Sequence, residues 1–281
     1  MPIHDQGYRR FGGTREPRGR AWLVIAKAGI RTTLGKKWFM GILLVSWIQF
    51  VVRAVMFYFS VTYGQVASSI LSTNAQTFRE FLEHQEIFVF FITVFVGAGL
   101  IANDRRANAL QIYLSKPLTR AEYVAGKAAI LLTFLVSVTW LPAMLLLAVQ
   151  TMFAGNFSFV RANAFLLPAI TVYAVLQVLL ATFTMLALSS TSKSPRFVAI
   201  MYAGVVFFTD AVFGTLKFLI RASGASLVSP TQSMAQIGDV IFRVPPRHET
   251  PVVLSLIVVL GLIALSVVVL ERRIRGVEVV A

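Results

Sequence analysis

Six runs of apolar residues, separated by polar stretches, decide what this chain can fold into. They cover about 39–62 (FMGILLVSWIQFVVRAVMFYFSVT), 86–102 (EIFVFFITVFVGAGLIA), 127–150, 164–188, 196–218 and 251–270 (PVVLSLIVVLGLIALSVVVL). A hydrocarbon core about 30 Å thick takes roughly 20 helical residues at about 1.5 Å each, so each run is near the length of one crossing. Transmembrane β-strands would be about half as long and would alternate apolar with polar residues, which these runs do not. The 281 residues are 57% hydrophobic and 14% charged, where soluble domains carry about 25% charge. The expected fold is therefore an all-α membrane protein with six transmembrane helices. The first run starts only near residue 39 and is longer than the roughly 7–15 residues of a signal-peptide core, so a retained span is expected there.

The formal charge of +14 would suggest nucleic acid in a soluble protein, but its distribution points to topology instead. Nine basic residues precede the first span: Arg9, Arg10, Arg15, Arg18, Arg20, Lys27, Arg31, Lys36 and Lys37. Arg105, Arg106, Lys116, Arg120 and Lys127 lie between spans two and three; Lys193 and Arg196 lie between four and five; Arg272, Arg273 and Arg275 follow span six. The alternate connections hold Arg79 beside Glu80, Glu83 and Glu86, then Arg161 alone, then Arg221, Arg243 and Arg247 over 219–250. The positive-inside rule puts both termini in the cytoplasm of a multi-pass protein of the plasma (inner) membrane. The chain then divides into a basic cytoplasmic N-terminus (1–38), a six-span domain (39–271) and a cytoplasmic tail (272–281).

Residues 103–127, NDRRANALQIYLSKPLTRAEYVAGK, form an unusually polar cytoplasmic connection. Thr119 and Glu122 make a capping-box pattern with Leu118 and Tyr123 at the staple positions, so the helix of span three is expected to start at about Arg120. From Asp104 to Ser115, Ala107, Leu110 and Leu114 recur at helical spacing with Tyr113 alongside. This reads as a short amphipathic helix broken at Ser115-Lys116-Pro117, and an apolar stripe held outside the bilayer needs something to cover it. Residues 18–37 form a second amphipathic pattern, with Trp22, Ala26, Ile30 and Leu34 opposite Arg20, Lys27 and Arg31, suited to the headgroup layer. Ser229-Pro230 with Gln232 opens a short outer helix carrying Met234, Ile237 and Ile241. Ser194-Pro195 and Thr250-Pro251 are span starts of the same type.

Arg53 and Asp210 are ionisable residues well inside apolar runs, where such groups call for a partner or a role. Each lies 14 residues from the cytoplasmic start of its span, roughly 20 Å in at the helical rise, so a pair within one chain or across two is feasible. Ser46, Gln49, Arg53 and Ser60 share one helix face; Asp210, Gly214 and Lys217 share another; Tyr173, Gln177 and Thr184 share a third. These stripes either bond helix to helix or line a translocation path, with Gln49, Arg53, Gln177 and Asp210 its candidate residues.

Two motifs fail on context. GAGLIA at 97–102 fits a dinucleotide fingerprint but lies inside a span, where it suits close helix packing; GIRTTLGKK has the wrong spacing for a phosphate loop and lacks its Ser/Thr. With no cysteine in the chain and His4, His84 and His248 all outside the spans, neither a disulfide framework nor a catalytic metal set is expected.

Six spans, inside termini and the segment DRRANALQIYLSKPLTRAEYVAGK together resemble the membrane-spanning subunits of type-2 ABC exporters. The matching positions are Asp104-Arg105-Arg106, the leucine-rich Leu110 to Leu114, the Pro-x-x-Arg turn from Pro117 to Arg120, and Gly126-Lys127. Where family members often carry a glycine-containing turn, this chain has Asn108-Ala109. The resemblance implies that 103–119 is a coupling helix docking in a cleft of a separate ATP-binding subunit. Leu110, Tyr113 and Leu114 would be its apolar anchors and Asp104, Arg105 and Arg106 its polar rim. It further implies an N-terminal interfacial helix, outer-face helices between spans five and six, and a second permease copy, identical or homologous. ATP and magnesium would sit in the partner, with no cofactor and no catalytic residue in this chain. An ion- or proton-coupled secondary transporter using Arg53 and Asp210 is the alternative; it expects more midplane carboxylates and broken helices in matched halves.

Overall fold

The computed structural model of the chain describes residues 21–62, 74–109, 119–155, 158–219 and 224–274, and every regular element among them is helical. Six helical stretches are long and apolar enough to cross a membrane: Lys37–Thr62, Ala75–Arg106, Arg120–Ala154, Leu166–Thr191, Pro195–Leu219 and Val252–Arg273. The second, third and fourth are 50–56% buried and the others 11–17%. Three spans thus form the interior, and three offer apolar residues such as Leu44, Ile200, Phe208 and Ile257 to the surroundings.

The helices are α1 (Ala21–Leu34), α2 (Lys37–Thr62), α3 (Ala75–His84), α4 (Glu86–Ile92), α5 (Ala98–Arg106), α6 (Arg120–Val138), α7 (Trp140–Ala154), α8 (Ser158–Ala162), α9 (Leu166–Thr191), α10 (Pro195–Ala203), α11 (Thr209–Leu219), α12 (Pro230–Ile241) and α13 (Val252–Arg273). One π-helical turn, Thr93–Gly97, joins α4 to α5, and another, Gly204–Phe208, joins α10 to α11. We call the end of the bundle that gathers α1, the α5–α6 connection and the α9–α10 connection the basic end.

Local chemistry sets the boundaries. Thr119 and Glu122 cap α6 reciprocally, with Thr119 Oγ1 accepting from Glu122 N at 3.2 Å and Thr119 N donating to Glu122 Oε2 at 3.0 Å; α6 accordingly starts at Arg120. The third span breaks at Thr139 because Pro142 brings no N–H for the Val138 carbonyl and its ring crowds that carbonyl. Proline opens α10 at Pro195, and Ser229 Oγ accepts from Gln232 N at 3.2 Å at the start of α12.

Two boundaries differ from the sequence expectation. The second span begins at Ala75, eleven residues before the apolar run, because Asn74 and Thr77 cap α3 and Phe78, Phe81 and Leu82 bury one face of it. At the basic end the helix of span two continues through Asp104 and Arg105 to Arg106 instead of starting anew at Asp104. It stops because Asn108 adopts φ 52, the left-handed conformation that asparagine tolerates better than most residues. The rest of the expected short helix, with Leu110, Tyr113 and Leu114, lies outside the described residues. Within the bundle, α1 packs along α6 through Trp22, Ile25, Gly29 and Gly126, and Leu34 is exposed. A Cβ on Gly126 would stand 2.8 Å from Ile25 Cβ and 3.0 Å from the Trp22 carbonyl oxygen, so Gly126 permits the close approach.

The apolar interior has two stacked parts. One lies toward the basic end, around Ile101, Tyr123, Leu131 and Met185; the other lies opposite, around Phe78, Leu166, Tyr173, Met234 and Phe242. Gly97 seats against Met185 and Leu131, the close packing expected of GAGLIA. Beside it the Ser189 hydroxyl donates to the Ala98 carbonyl at 2.9 Å and accepts from Ile101 N and Ala102 N at 3.1 and 3.0 Å, bridging α5 to α9 where the π turn disturbs the ladder. Ser189→Ala removes all three contacts at a site with no water access. It is expected to lower unfolding free energy by about 1–3 kcal/mol, measured as a fall in thermal midpoint in a fixed lipid composition.

Candidate functional site

At the basic end, side chains of the second and third spans and a backbone carbonyl of the fourth meet at the start of the 103–119 segment. Lys127 Nζ lies 2.7 Å from Asp104 Oδ2, and the buried Tyr123 hydroxyl donates to the same oxygen at 2.7 Å. The ammonium also stands 5.5 Å from the centroid of the Tyr123 ring. Arg105 donates to the Ser190 carbonyl near the end of α9. The two flanks of the segment are thus tied to each other and to the fourth span. Asp104 and Arg105 are half-buried and committed to partners within the chain, whereas Arg106 is exposed.

Arg53 and Asp210 do not pair with each other within the chain. Arg53 makes an ion pair with Glu80 at 3.3 Å, and Gln76 Nε2 donates to the other Glu80 oxygen at 3.0 Å. Gln49, Arg53, Glu80 and His84 line one cavity of about 540 Å³ between α2 and α3. Asp210 accepts from Ser229 Oγ at 2.5 Å and Gln232 Nε2 at 3.3 Å, beside the N-terminus of α12, where a carboxylate is favoured by the helix dipole. Gln177 and Thr184 face a different cavity, of about 100 Å³, with Glu86 and Tyr202. The Gln49–Arg53 and Gln177–Thr184 stripes therefore line two different cavities, and Asp210 sits at the start of α12, whose Pro230 and Thr231 border the second of them.

A buried charge cluster at the opposite end escaped the sequence reading. Arg79 is 1% exposed, with Nε 3.2 Å from Asp239 Oδ1 and Nη1 3.3 Å from Glu83 Oε2. Neither contact is an aligned hydrogen bond; Nη2 makes that bond, to the Ala235 carbonyl at 3.1 Å. The guanidinium also lies 5.2 Å from the Tyr173 ring centroid, and a Cβ on Gly238 would come within 2.5 Å of Arg79 Nε. Arg247 completes the cluster, bonding Glu83 through both terminal nitrogens at 2.6 and 3.0 Å and Asp239 through Nε at 2.9 Å. The Glu83 bond first, then Asp239, holds the Arg247 pKa above its ordinary value, so it stays charged. Its neighbour His248 is shifted down, first by burial and then by Lys217 and Arg247, and accordingly favours the neutral ring. In the sequence Arg79 looked like a topology charge; the available signal was its position between Phe78 and Phe81 on a capped helix.

No protein-family model matches the chain, and no curated protein sequence matches it at a significant level.

Proposed function

We propose that the chain is the permease subunit of an ATP-binding cassette transporter, working in export as a dimer of permeases on two separate ATPase subunits. The observation that carries this reading is the fastening of the 103–119 segment. The Asp104–Lys127 pair, the Tyr123 bond and the Arg105–Ser190 bond tie its base to spans two, three and four, so force applied to the segment would reach the three buried spans together. Asp104 and Arg105 would act as this fastening, and Arg106 would join Leu110, Tyr113 and Leu114 in meeting the ATPase. ATP-driven closure of the ATPases would move both segments and tilt the bundles apart or together, opening a path between the two copies. Substrate would meet polar groups such as Gln49 and Arg53 on that path; catalysis of ATP hydrolysis would belong to the partner.

The second reading, a secondary transporter built on Arg53 and Asp210, draws no added support from their separate partners. Isolation of the tagged chain from its own membranes in mild detergent checks the proposal. It should bring down a polypeptide bearing G-x-x-x-x-G-K-[ST] in equal amount; recovery of the intact chain with no such protein would overturn the reading.

A further inference from the structure

The 100 Å³ cavity between α4, α9, α10 and α12 is flanked by a carboxyl group, that of Glu86, which makes no ion pair among the described residues. Around it, Arg79 and Arg247 are matched by Glu83 and Asp239. Glu86, one turn from Glu83, lines the cavity and accepts only the neutral Tyr173 hydroxyl, at 3.1 Å; among the described residues no cation lies within ion-pair distance of it. Two further side chains that line the same space each carry an oxygen without a partner. Gln177 Oε1 and Thr184 Oγ1 are buried, each on a side chain 6% exposed, and neither makes a hydrogen bond. A buried, unpaired polar group costs about 1–3 kcal/mol, so two of them beside a carboxyl group with no ion pair describe a site with hydrogen-bonding capacity left unfilled. The remaining wall is apolar, with Val89, Leu180 and Met234, and Val206 of the second π turn also borders it, a kind of distortion often found at functional sites.

We propose that this cavity binds a primary ammonium group carried on a small apolar body. The ammonium supplies N–H donors and no acceptor, which suits Glu86 and Gln177. Gln177 and Thr184 stand two turns apart on α9, about 10 Å, so the apolar body runs between them past Leu180. The volume admits a head group and a short chain but no drug-sized molecule. The site lies within one chain and depends neither on ATP coupling nor on the orientation of the chain in the membrane.

The test uses the full chain in phosphatidylcholine nanodiscs, with n-hexylammonium as probe and n-hexanol, hexanoate and sodium ion at equal concentration as controls. A ligand that binds only the folded state raises the unfolding midpoint with its concentration. Hexylammonium is expected to give a saturable rise that the three controls do not. Glu86→Gln should weaken the half-saturating concentration at least tenfold, and Gln177→Leu several-fold; the second variant carries the test if the first does not fold. Equal shifts from hexanol or sodium, or undiminished hexylammonium response in a folded variant, would overturn the proposal. If phosphatidylethanolamine nanodiscs raise the midpoint alone and blunt the hexylammonium response, the ammonium is a lipid head group; if they do not, it is a soluble amine.

Discussion

Asp239→Leu is expected to remove most of the folded protein from the membrane. The substitution leaves Arg79, 1% exposed, without its one fully buried counter-ion and with only a half-exposed carboxylate at 3.3 Å. Breaking a buried pair in this way costs about 3–5 kcal/mol, a large part of the roughly 5–15 kcal/mol that holds a domain folded. Removing both charges at once, in Arg79→Met with Asp239→Leu, replaces the pair with apolar volume. That change is often neutral or better, because Glu83 and Arg247 keep their two-pronged bond. Arg247→Gln should matter little by comparison, since its side chain is 39% exposed and such pairs contribute about 0–1 kcal/mol. Thermal midpoints and membrane yield of the four proteins decide it: the double variant must exceed Asp239→Leu, and a double variant as poor as the single would show that the charges are not acting as a pair.

Leu110→Asp and Tyr113→Asp are each expected to abolish ATP-driven transport while leaving the chain folded and inserted. In the proposed complex these side chains fill a partner cleft, and a buried unpaired carboxylate there would cost several kcal/mol; each 1.4 kcal/mol is tenfold in affinity. Release of the ATPase by at least a hundredfold should follow, read as loss of co-isolation and of transport in vesicles. Gln111→Asp serves as a control, since it adds the same charge off the apolar stripe. An unchanged ATPase association in both Leu110 and Tyr113 variants would contradict the docking role.

The residues that were legible in the sequence are those whose cause is local. The six spans follow from apolar length, the start of α6 from Thr119 and Glu122, and the starts of α10 and α12 from Pro195 and Pro230. The break at Thr139 was signalled by Pro142 but placed only by the structure. What could not be read are pairings across distance: Arg79 with Asp239, Arg247 with Glu83, and Ser189 with the α5 backbone. A lone charge between apolar residues looks the same whether it faces water or a counter-ion 160 positions away. Glu86 opens the second apolar run in the sequence and was also counted with the charges before it; the helical stretch that carries it begins eleven residues earlier. Gln49 with Arg53 and Gln177 with Thr184 did prove to line cavities, but two different ones, because face periodicity says which side of a helix is polar and not what stands opposite.

The most direct test of the docking account exploits the absence of cysteine in the chain. Arg106→Cys puts one thiol at an exposed position at the base of the 103–119 segment, available to a membrane-impermeant maleimide or to a short cross-linker in native membranes. The account predicts labelling only when the cytoplasmic face is accessible, and an adduct with a polypeptide bearing G-x-x-x-x-G-K-[ST] whose yield changes when ATP is supplied. Labelling from the outer face, or cross-linking that never captures such a protein although the thiol reacts freely, would contradict it.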